Sequence, residues 1–409
     1  MSVLKSILCK CRKYHCFCIF VFLCTVYSFA FCGTLFKITN ICVDAQLMGY
    51  FDSYERPKFS MGNFKNGIYQ TGFENWLNTS LLPRGYFIKL YNQIQYSLFD
   101  EGNRIIGKDG SIFEMTYVSD FLSLDVSEDF GIAMKDNRAS LERYVDQLES
   151  VASKLEAIDK HLLVYITPSK ATYESKKIPY KYLVQKDDSK ERCISYFKNL
   201  MAGRDIEYLD YNTILAPDED YPIFYNTGIH WSRPAEQEMS VAIINELKKY
   251  NVGIRNIELK ALRESETPYW RDADVFDLLN IYTGPKKKEK YYKYDTLPQY
   301  PEHYDNINML LQGGSFAEGL RMDILSEYPD ENIDYINYNQ SVIDAKGNVT
   351  EIVETNWKNL GLSFYLNQAD FVVIELNEAV ISRQSNGFVE YLDKYLDSYK
   401  PGYILDKEE

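Results

Sequence analysis

The chain has 409 residues, of which 45% are hydrophobic and 25% are charged, and its net charge at pH 7 is −14. These proportions are ordinary for a globular protein and exclude a largely disordered chain, while the length allows one large domain or two of usual size. The acidic balance argues against nucleic-acid binding, because phosphate groups need a basic face.

The first 44 residues are predicted to be a cytoplasmic tail and a membrane anchor. Residues 16–36 contain no charged side chain and are about as long as an apolar helix that crosses a bilayer. The basic residues Lys5, Lys10, Arg12 and Lys13 come before this run, and the acidic residues Asp44, Asp52 and Glu55 come soon after it. The positive-inside rule then predicts a cytoplasmic N-terminus and an extracytoplasmic remainder. A signal peptide cleaved near Ser28-Phe29-Ala30 is the alternative.

Cysteines are concentrated at the N-terminus. Seven of the eight lie within the first 42 residues, and only Cys193 lies in the remainder. The exported part therefore has neither a disulfide framework nor a paired-cysteine zinc motif. We interpret the N-terminal cysteines as hydrophobic residues or acylation sites. We expect no metal and no cofactor, since the chain also lacks a phosphate-binding glycine loop and an HExxH motif.

The exported part is predicted to begin with a linker over residues 45–68, where Gly49, Pro57 and Gly62 occur with little periodicity. One domain over residues 69–400 follows. Apolar spacing predicts helices between Phe73 and Leu98, then over 137–158 and 239–247, and Asp109-Gly110 predicts a hairpin turn within 105–113.

Short apolar runs alternate with these helices, which is typical of parallel strands in an α/β domain. The runs are residues 162–166, 206–209, 308–311, 333–336 and 371–376. The predicted fold class is a three-layer α/β sandwich with a mostly parallel sheet. Residues 265–305 carry a lysine-rich and tyrosine-rich run and are predicted to be a surface insertion or hairpin, with a binding lip for a polyanion or a sugar polymer as the alternative.

The strongest chemical signal is a serine that follows an apolar run and two glycines, Gly313 and Gly314. Helix-spaced apolar residues follow Ser315, so a strand, a tight turn and a helix are predicted in that order. A serine on such a turn is exposed and lies at a helix N-terminus, where unpaired N–H groups can stabilise an oxyanion. A helix-capping serine is the alternative, because serine is common at that position.

A nucleophilic serine needs a base, and the chain offers four histidines, His15, His161, His230 and His303. His230 precedes a predicted helix, whose N-terminal dipole disfavours the imidazolium and keeps the ring able to accept a proton. The alternative is a loop histidine that packs against Trp231.

Five stretches, in the order in which the family has them, resemble the SGNH hydrolase-like O-acetyltransferases of the alginate O-acetyltransferase type. The stretches are FENWL at 73–77, IGKDGSIFE at 106–114, TPSKATY at 167–173, TGIHWS at 227–232 and GGSF at 313–316. The resemblance implies an SGNH-like (flavodoxin-like) fold with Ser315 as the nucleophile and His230 as the general base. It also implies transfer of acyl groups, usually acetyl, to hydroxyls of an exported polysaccharide, beside a membrane-bound O-acyltransferase that supplies the acyl group.

Two residues depart from the pattern of that family. Gly228 stands where the family has the triad aspartate, and Gly314 stands where many relatives have Asp or Thr. Loss of the carboxylate can cost a triad enzyme several powers of ten in rate. Another acid could substitute, a Ser–His dyad could suffice, or the chain could be a polysaccharide-binding or assembly subunit without catalysis. A carbohydrate esterase is a further alternative, since transfer and hydrolysis use the same residues.

The remaining candidates concern the oxyanion hole and the cleft. We expect the N–H of Ser315 or Phe316 to donate to an oxyanion, beside Gly314. Asn377 follows an apolar strand and is a candidate for the SGNH asparagine, with an ordinary strand-ending asparagine as the alternative. Lys170 matches the Pro-Ser-Lys block of the family and is assigned to the cleft.

Overall fold

The computed structural model describes residues 19–21, 23–24, 27–28, 45–49, 54–80, 84–124, 138–215, 220–269 and 271–402. Among these residues, no helix is both long enough and apolar enough to span a membrane. Most of the predicted anchor at 16–36 lies outside the described residues, as does His15. The chain divides into two compact units, Met1–Gly102 with Asp277–Gly284, and Asn103–Phe276 with Pro285–Glu409.

The first unit is helical. Its helices are α1 (Met61–Lys65), α2 (Ile68–Ser80) and α3 (Arg84–Ile94), and α3 continues into a π-helical turn at Gln95–Phe99. The predicted helices between residues 73 and 98 are thus observed. The boundaries of this unit differ from the predicted ones. Helix α1 lies inside the predicted linker at 45–68, because Ser60 caps its first turn. Residues 69–102 belong to this first unit and not to the unit that contains the sheet.

The second unit contains eleven strands and ten helices within the described residues. Its strands are β1 (Ile105–Ile106), β2 (Ile112–Phe113), β3 (His161–Thr167), β4 (Tyr208–Asp210), β5 (Ile257–Ser265), β6 (Tyr291–Pro298), β7 (Asn308–Gly313), β8 (Asn332–Asn337), β9 (Ser341–Ile343), β10 (Val349–Glu351) and β11 (Phe371–Asn377). Its helices are α4 (Met115–Phe121), α5 (Arg138–Glu156), α6 (Lys170–Tyr173), α7 (Tyr180–Leu183), α8 (Cys193–Met201), α9 (Tyr211–Ile214), α10 (Arg233–Leu247), α11 (Ser315–Glu327), α12 (Leu362–Gln368) and α13 (Phe388–Leu396).

Seven strands form one sheet in the order β10-β9-β8-β7-β11-β3-β4. The five strands from β8 to β4 are parallel, and β9 and β10 pair antiparallel at the edge. All seven residues of β11 are buried, and its first four residues are a continuous apolar run in the sequence, as expected for a central parallel strand. The predicted fold class, an α/β domain with a mostly parallel sheet, is confirmed. The five predicted strands are all present.

Smaller elements also follow the sequence pattern. β1 and β2 form the predicted hairpin, with Asp109 and Gly110 at φ values of 58° and 75° in its turn. β5 and β6 form an antiparallel pair, so the predicted insertion is a hairpin arm with a long connection between its strands. Helices α5, α8 and α13 pack together, and α10 packs against α11.

The topology brings three strand ends to one edge of the sheet. Asn377 ends β11 in register with Thr167 at the end of β3, and β7 ends at Gly313 on the other side of β11. Because ligands bind at the carboxyl ends of parallel strands in α/β domains, we expect a functional site at this edge of the sheet.

Candidate active site

Ser315 lies on the turn that the sequence predicts. Strand β7 ends at Gly313, Gly314 has extended backbone, and helix α11 begins at Ser315 itself. The side chain is half-buried and lines a cavity of about 220 Å³. The hydroxyl is therefore held at a helix N-terminus with space in front of it, as a nucleophile requires.

His230 meets this hydroxyl from a loop 85 positions earlier in the chain. Its Nε2 atom lies 2.6 Å from Ser315 Oγ, which is a short hydrogen bond. The imidazole is nine-tenths buried and packs on the ring of Phe316, with 4.8 Å between ring centroids. The structure thus brings together the two residues that the sequence singled out, in the geometry of a nucleophile and its base.

Asp274 completes a triad whose acid the sequence pattern did not reveal. Its Oδ2 lies 2.6 Å from His230 Nδ1, and its Oδ1 accepts the Ile229 N–H at 3.0 Å. A carboxylate on Nδ1 fixes the ring orientation and stabilises the imidazolium that forms when the other nitrogen takes a proton. Sequence reasoning missed Asp274 because it lies in the connection between β5 and β6, away from the histidine block. The only signal was the missing aspartate at Gly228, which left an acid to be found elsewhere.

Gly228 faces the connection that carries this new acid. A Cβ on Gly228 would lie 2.6 Å from the carbonyl oxygen of Asp272, closer than real Cβ atoms approach other atoms, and 3.1 Å from the carbonyl oxygen of Arg271. The main chain of Arg271 and Asp272 thus fills the space that a side chain at position 228 would need. The connection that carries Asp274 therefore also excludes a side chain at position 228.

Two residues near Asp274 in the sequence, Arg271 and Asp272, also bond the β5–β6 connection to the site. Arg271 donates from its guanidinium to the carbonyl of Ser315 and to the carboxylate of Glu318. Asp272 accepts the N–H of Arg233 at 3.1 Å, at the start of α10. Burial raises the pKa of Asp272 to about 7. Three residues of one short stretch, Arg271, Asp272 and Asp274, therefore contact the nucleophile, the helix behind the base and the base itself.

Gly314 also has a close neighbour. A Cβ at this position would lie 2.9–3.0 Å from the phenol of Tyr338, so a side chain here would require the phenol to move. The Gly314 N–H donates to Glu375 at 2.8 Å, and its carbonyl accepts from the hydroxyl of Tyr335 at 2.6 Å. Gly314 therefore fixes the turn, and its own N–H is already paired.

The oxyanion donors differ from the expected set. Asn377 donates from Nδ2 to Pro168 O at 2.9 Å and to Thr167 Oγ1 at 3.2 Å, so both amide hydrogens are used in joining the ends of β11 and β3. Asn377 lines the cavity in front of Ser315, but these bonds favour the alternative, a structural asparagine at the end of a strand, and its role as an oxyanion donor stays a prediction. The Ser315 N–H makes only a long contact of 3.4 Å with the Tyr338 hydroxyl, and the Phe316 N–H has no acceptor within the described residues.

Lys170 lies behind the histidine loop. It is completely buried, and its ammonium donates to the carbonyls of Tyr225, Asn226 and Gly228 at 2.6, 3.0 and 2.7 Å. Burial lowers the pKa of Lys170 to about 8. The expected cleft residue is thus a clamp on the loop that carries His230.

Acidic and phenolic groups line the cavity in front of Ser315. They include Glu114, Tyr117, Tyr338 and Glu375. Burial raises the pKa of Glu375, whose carboxylate accepts from the hydroxyl of Thr167 as well as from the Gly314 N–H. Within the described residues, no group of acidic, histidine and cysteine side chains is arranged to hold a metal ion.

No family model matches the chain, and no curated protein matches it. Solved structures similar to it include the O-acetyltransferase domain of Pseudomonas putida AlgJ, at 13% identity and a TM-score of 0.41 over 72% of this chain and 100% of that one. Pseudomonas aeruginosa AlgX is 14% identical, with a TM-score of 0.38 over 70% of this chain and 67% of its own. Bacillus cereus PatB1 is 9% identical, with a TM-score of 0.36 over 60% and 91%. At these values the similarity carries no argument about activity, and the interpretation of the site rests on its geometry.

Proposed function

We propose that the chain is an SGNH-like O-acyltransferase that uses Ser315, His230 and Asp274 as a catalytic triad. The observation that carries the proposal is the continuous chain of two 2.6 Å contacts, from the carboxylate through the imidazole to the hydroxyl. The opening of Ser315 into a cavity adds the space that an acyl donor needs. The motif resemblance supplies the reaction class, which is acetyl transfer to hydroxyls of an exported or cell-surface polysaccharide.

The reaction takes two steps. His230 accepts the proton of Ser315 while Oγ attacks the acyl carbon of the donor, and the departing group leaves with that proton. A sugar hydroxyl then gives its proton to His230 and attacks the acyl carbon of the acyl-enzyme, which forms the new ester. The bond from that carbon to Ser315 Oγ breaks, and Oγ takes the proton back from His230. Asp274 stabilises the imidazolium in both steps.

The place of the reaction is part of the same proposal. The uncharged run at 16–36 with its basic N-terminal flank predicts a single anchor, with the catalytic unit outside the cytoplasmic membrane. Acyl donors are made inside the cell, so an outward-facing enzyme needs a membrane-bound O-acyltransferase to deliver the acyl group.

The experiment is an assay of the full-length chain in detergent with a chromogenic acetyl ester. Ser315→Ala and His230→Ala should each lower the acylation rate by at least about a thousandfold. Ser326→Ala on the same helix and His303→Ala, both exposed, are the matched controls and should keep the wild-type rate. Wild-type rates in Ser315→Ala or His230→Ala would overturn the serine mechanism.

A carbohydrate esterase is the second candidate, because the cavity at Ser315 is open to water as well as to an acceptor. The two activities separate by product analysis with a soluble oligosaccharide acceptor. Acetylated oligosaccharide indicates transfer, while release of acetate alone indicates an esterase.

A further inference from the structure

The proposed reaction creates a negative oxygen next to Ser315, and the donors expected for it are largely engaged elsewhere. The Gly314 N–H is paired with Glu375, and the Asn377 amide is paired with Thr167 and Pro168. One or two backbone N–H groups at the start of α11 remain. Serine acyl transfer depends strongly on preorganised donors, so a further donor is expected.

Tyr338 lies beside the nucleophile with its hydroxyl hydrogen unused. Its oxygen is 3.4 Å from Ser315 N, longer than an ordinary hydrogen bond, and no described residue accepts its proton. The side chain is half-buried and lines the same cavity as Ser315. The phenol can therefore donate into the space between itself and the N–H groups of the turn.

The backbone of Tyr338 is held in an unusual conformation that fixes this position. Its φ of 53° is left-handed, which is uncommon for a bulky residue and persists only where the surrounding structure holds it. Its N–H donates to the Gly313 carbonyl at 2.8 Å, so the residue is bonded directly to the end of the nucleophile strand. Gly314 has no side chain, which lets the phenol come close.

We infer that Tyr338 is an oxyanion donor of this enzyme: its hydroxyl donates a hydrogen bond to the tetrahedral intermediate, together with the N–H of Ser315 or Phe316. It takes the place of the Asn377 amide, whose two hydrogens are bonded elsewhere. The phenol keeps its proton throughout, so the step adds only electrostatic stabilisation and changes no bond. This inference rests on the proposed serine mechanism.

The test compares Tyr338→Phe with wild type in the full-length protein. The measurements are the acylation rate with a chromogenic acetyl ester, the KM, the midpoint of thermal unfolding, and the affinity for a small alkylboronic acid, which forms a tetrahedral anion on a nucleophilic serine. We expect the acylation rate and the boronate affinity to fall together, by about 10²-fold, with KM and the unfolding midpoint nearly unchanged. Tyr250→Phe, which removes an exposed phenol bonded to Glu207, is the matched control and should keep wild-type values.

An acylation rate within twofold of wild type in Tyr338→Phe, with Ser315→Ala inactive, would overturn the inference and leave the proposed function intact. Activity in Ser315→Ala would instead overturn the proposed function. If Tyr338→Phe is slow but also unfolds earlier, a fluorinated tyrosine at position 338 decides the matter. It keeps the ring and donates more strongly, so a rate at or above wild type supports the inference, and a rate as low as that of the phenylalanine variant overturns it.

Discussion

The carbonyl oxygen of Asp272 lies 2.6 Å from the point where a Cβ on Gly228 would be. The connection between β5 and β6 thus has two effects. Its main chain at Asp272 excludes a side chain at position 228, and its Asp274 carboxylate contacts His230. A triad is recognised by the roles and geometry of its members and not by their order along the chain. Asp274 can therefore be the acid of the triad although it lies 44 positions after His230 in the sequence.

The first prediction concerns Asp274. Asp274→Asn should lower kcat by about 10⁴-fold with a small change in KM, because an amide favours the wrong tautomer of His230 and cannot stabilise the imidazolium. Steady-state kinetics with a chromogenic acetyl ester measure the effect. Asp277→Asn, an exposed carboxylate in the same connection, is the control. A rate within tenfold of wild type would mean that a Ser–His pair suffices.

The second prediction is that an aspartate at position 228 cannot replace Asp274. Gly228→Asp should not rescue Asp274→Asn, and it should lower the unfolding midpoint, since its Cβ would collide with the backbone at Asp272. Gly203→Asp is the matched control, because no atom lies within 4 Å of a Cβ there. Recovery of activity in the double variant would show that the connection moves aside easily, contrary to the close packing described above.

The sequence predicted the local parts of the site and the pairing of His230 with Ser315, and it missed the residues that other loops contribute. The turn at Ser315 and the strands around it are encoded by apolar runs and adjacent glycines, so their pattern was sufficient. Asp274 and Tyr338 belong to segments whose local pattern is only that of a loop. Their roles depend on which surfaces meet in the folded chain. The same is true of Asn377, whose two amide hydrogens bond to Thr167 at the end of β3 and to Pro168 directly after it.

The third prediction concerns Arg271, whose guanidinium bonds both the Ser315 carbonyl and the Glu318 carboxylate. Lysine cannot make both bonds in this geometry, so Arg271→Lys should loosen the nucleophile turn and lower the acylation rate by about tenfold. Arg263→Lys changes an exposed arginine of the same hairpin, paired with Asp295, and should be neutral. A kcat loss without a matching drop in the unfolding midpoint distinguishes positioning from general destabilisation. An unchanged kcat would show that α11 holds Ser315 without this clamp.

The last prediction is an alkaline loss of activity caused by Lys170. The protonated ammonium has three N–H groups for three carbonyls, whereas the neutral amine has two. With a pKa of about 8, the side chain loses its proton just above physiological pH, and the loop that carries His230 loses part of its clamp. The catalytic efficiency kcat/KM with a chromogenic acetyl ester should therefore decline as the pH rises through 8.

Loss of the Lys170 proton should change the free energy of unfolding in the opposite direction from activity. The folded-state pKa of Lys170 lies below the unfolded value of about 10.4, so between these two values the unfolded chain binds more protons. The contribution of this group to the free energy of unfolding then rises with pH across that window, while activity falls.

Lys170→Arg cannot titrate, and its kcat/KM should be lower at neutral pH but flat between pH 7 and about 9. Lys198→Arg, at a partly exposed lysine paired with Asp210, should keep the wild-type profile. An alkaline decline in Lys170→Arg equal to that of wild type would assign the effect to another group.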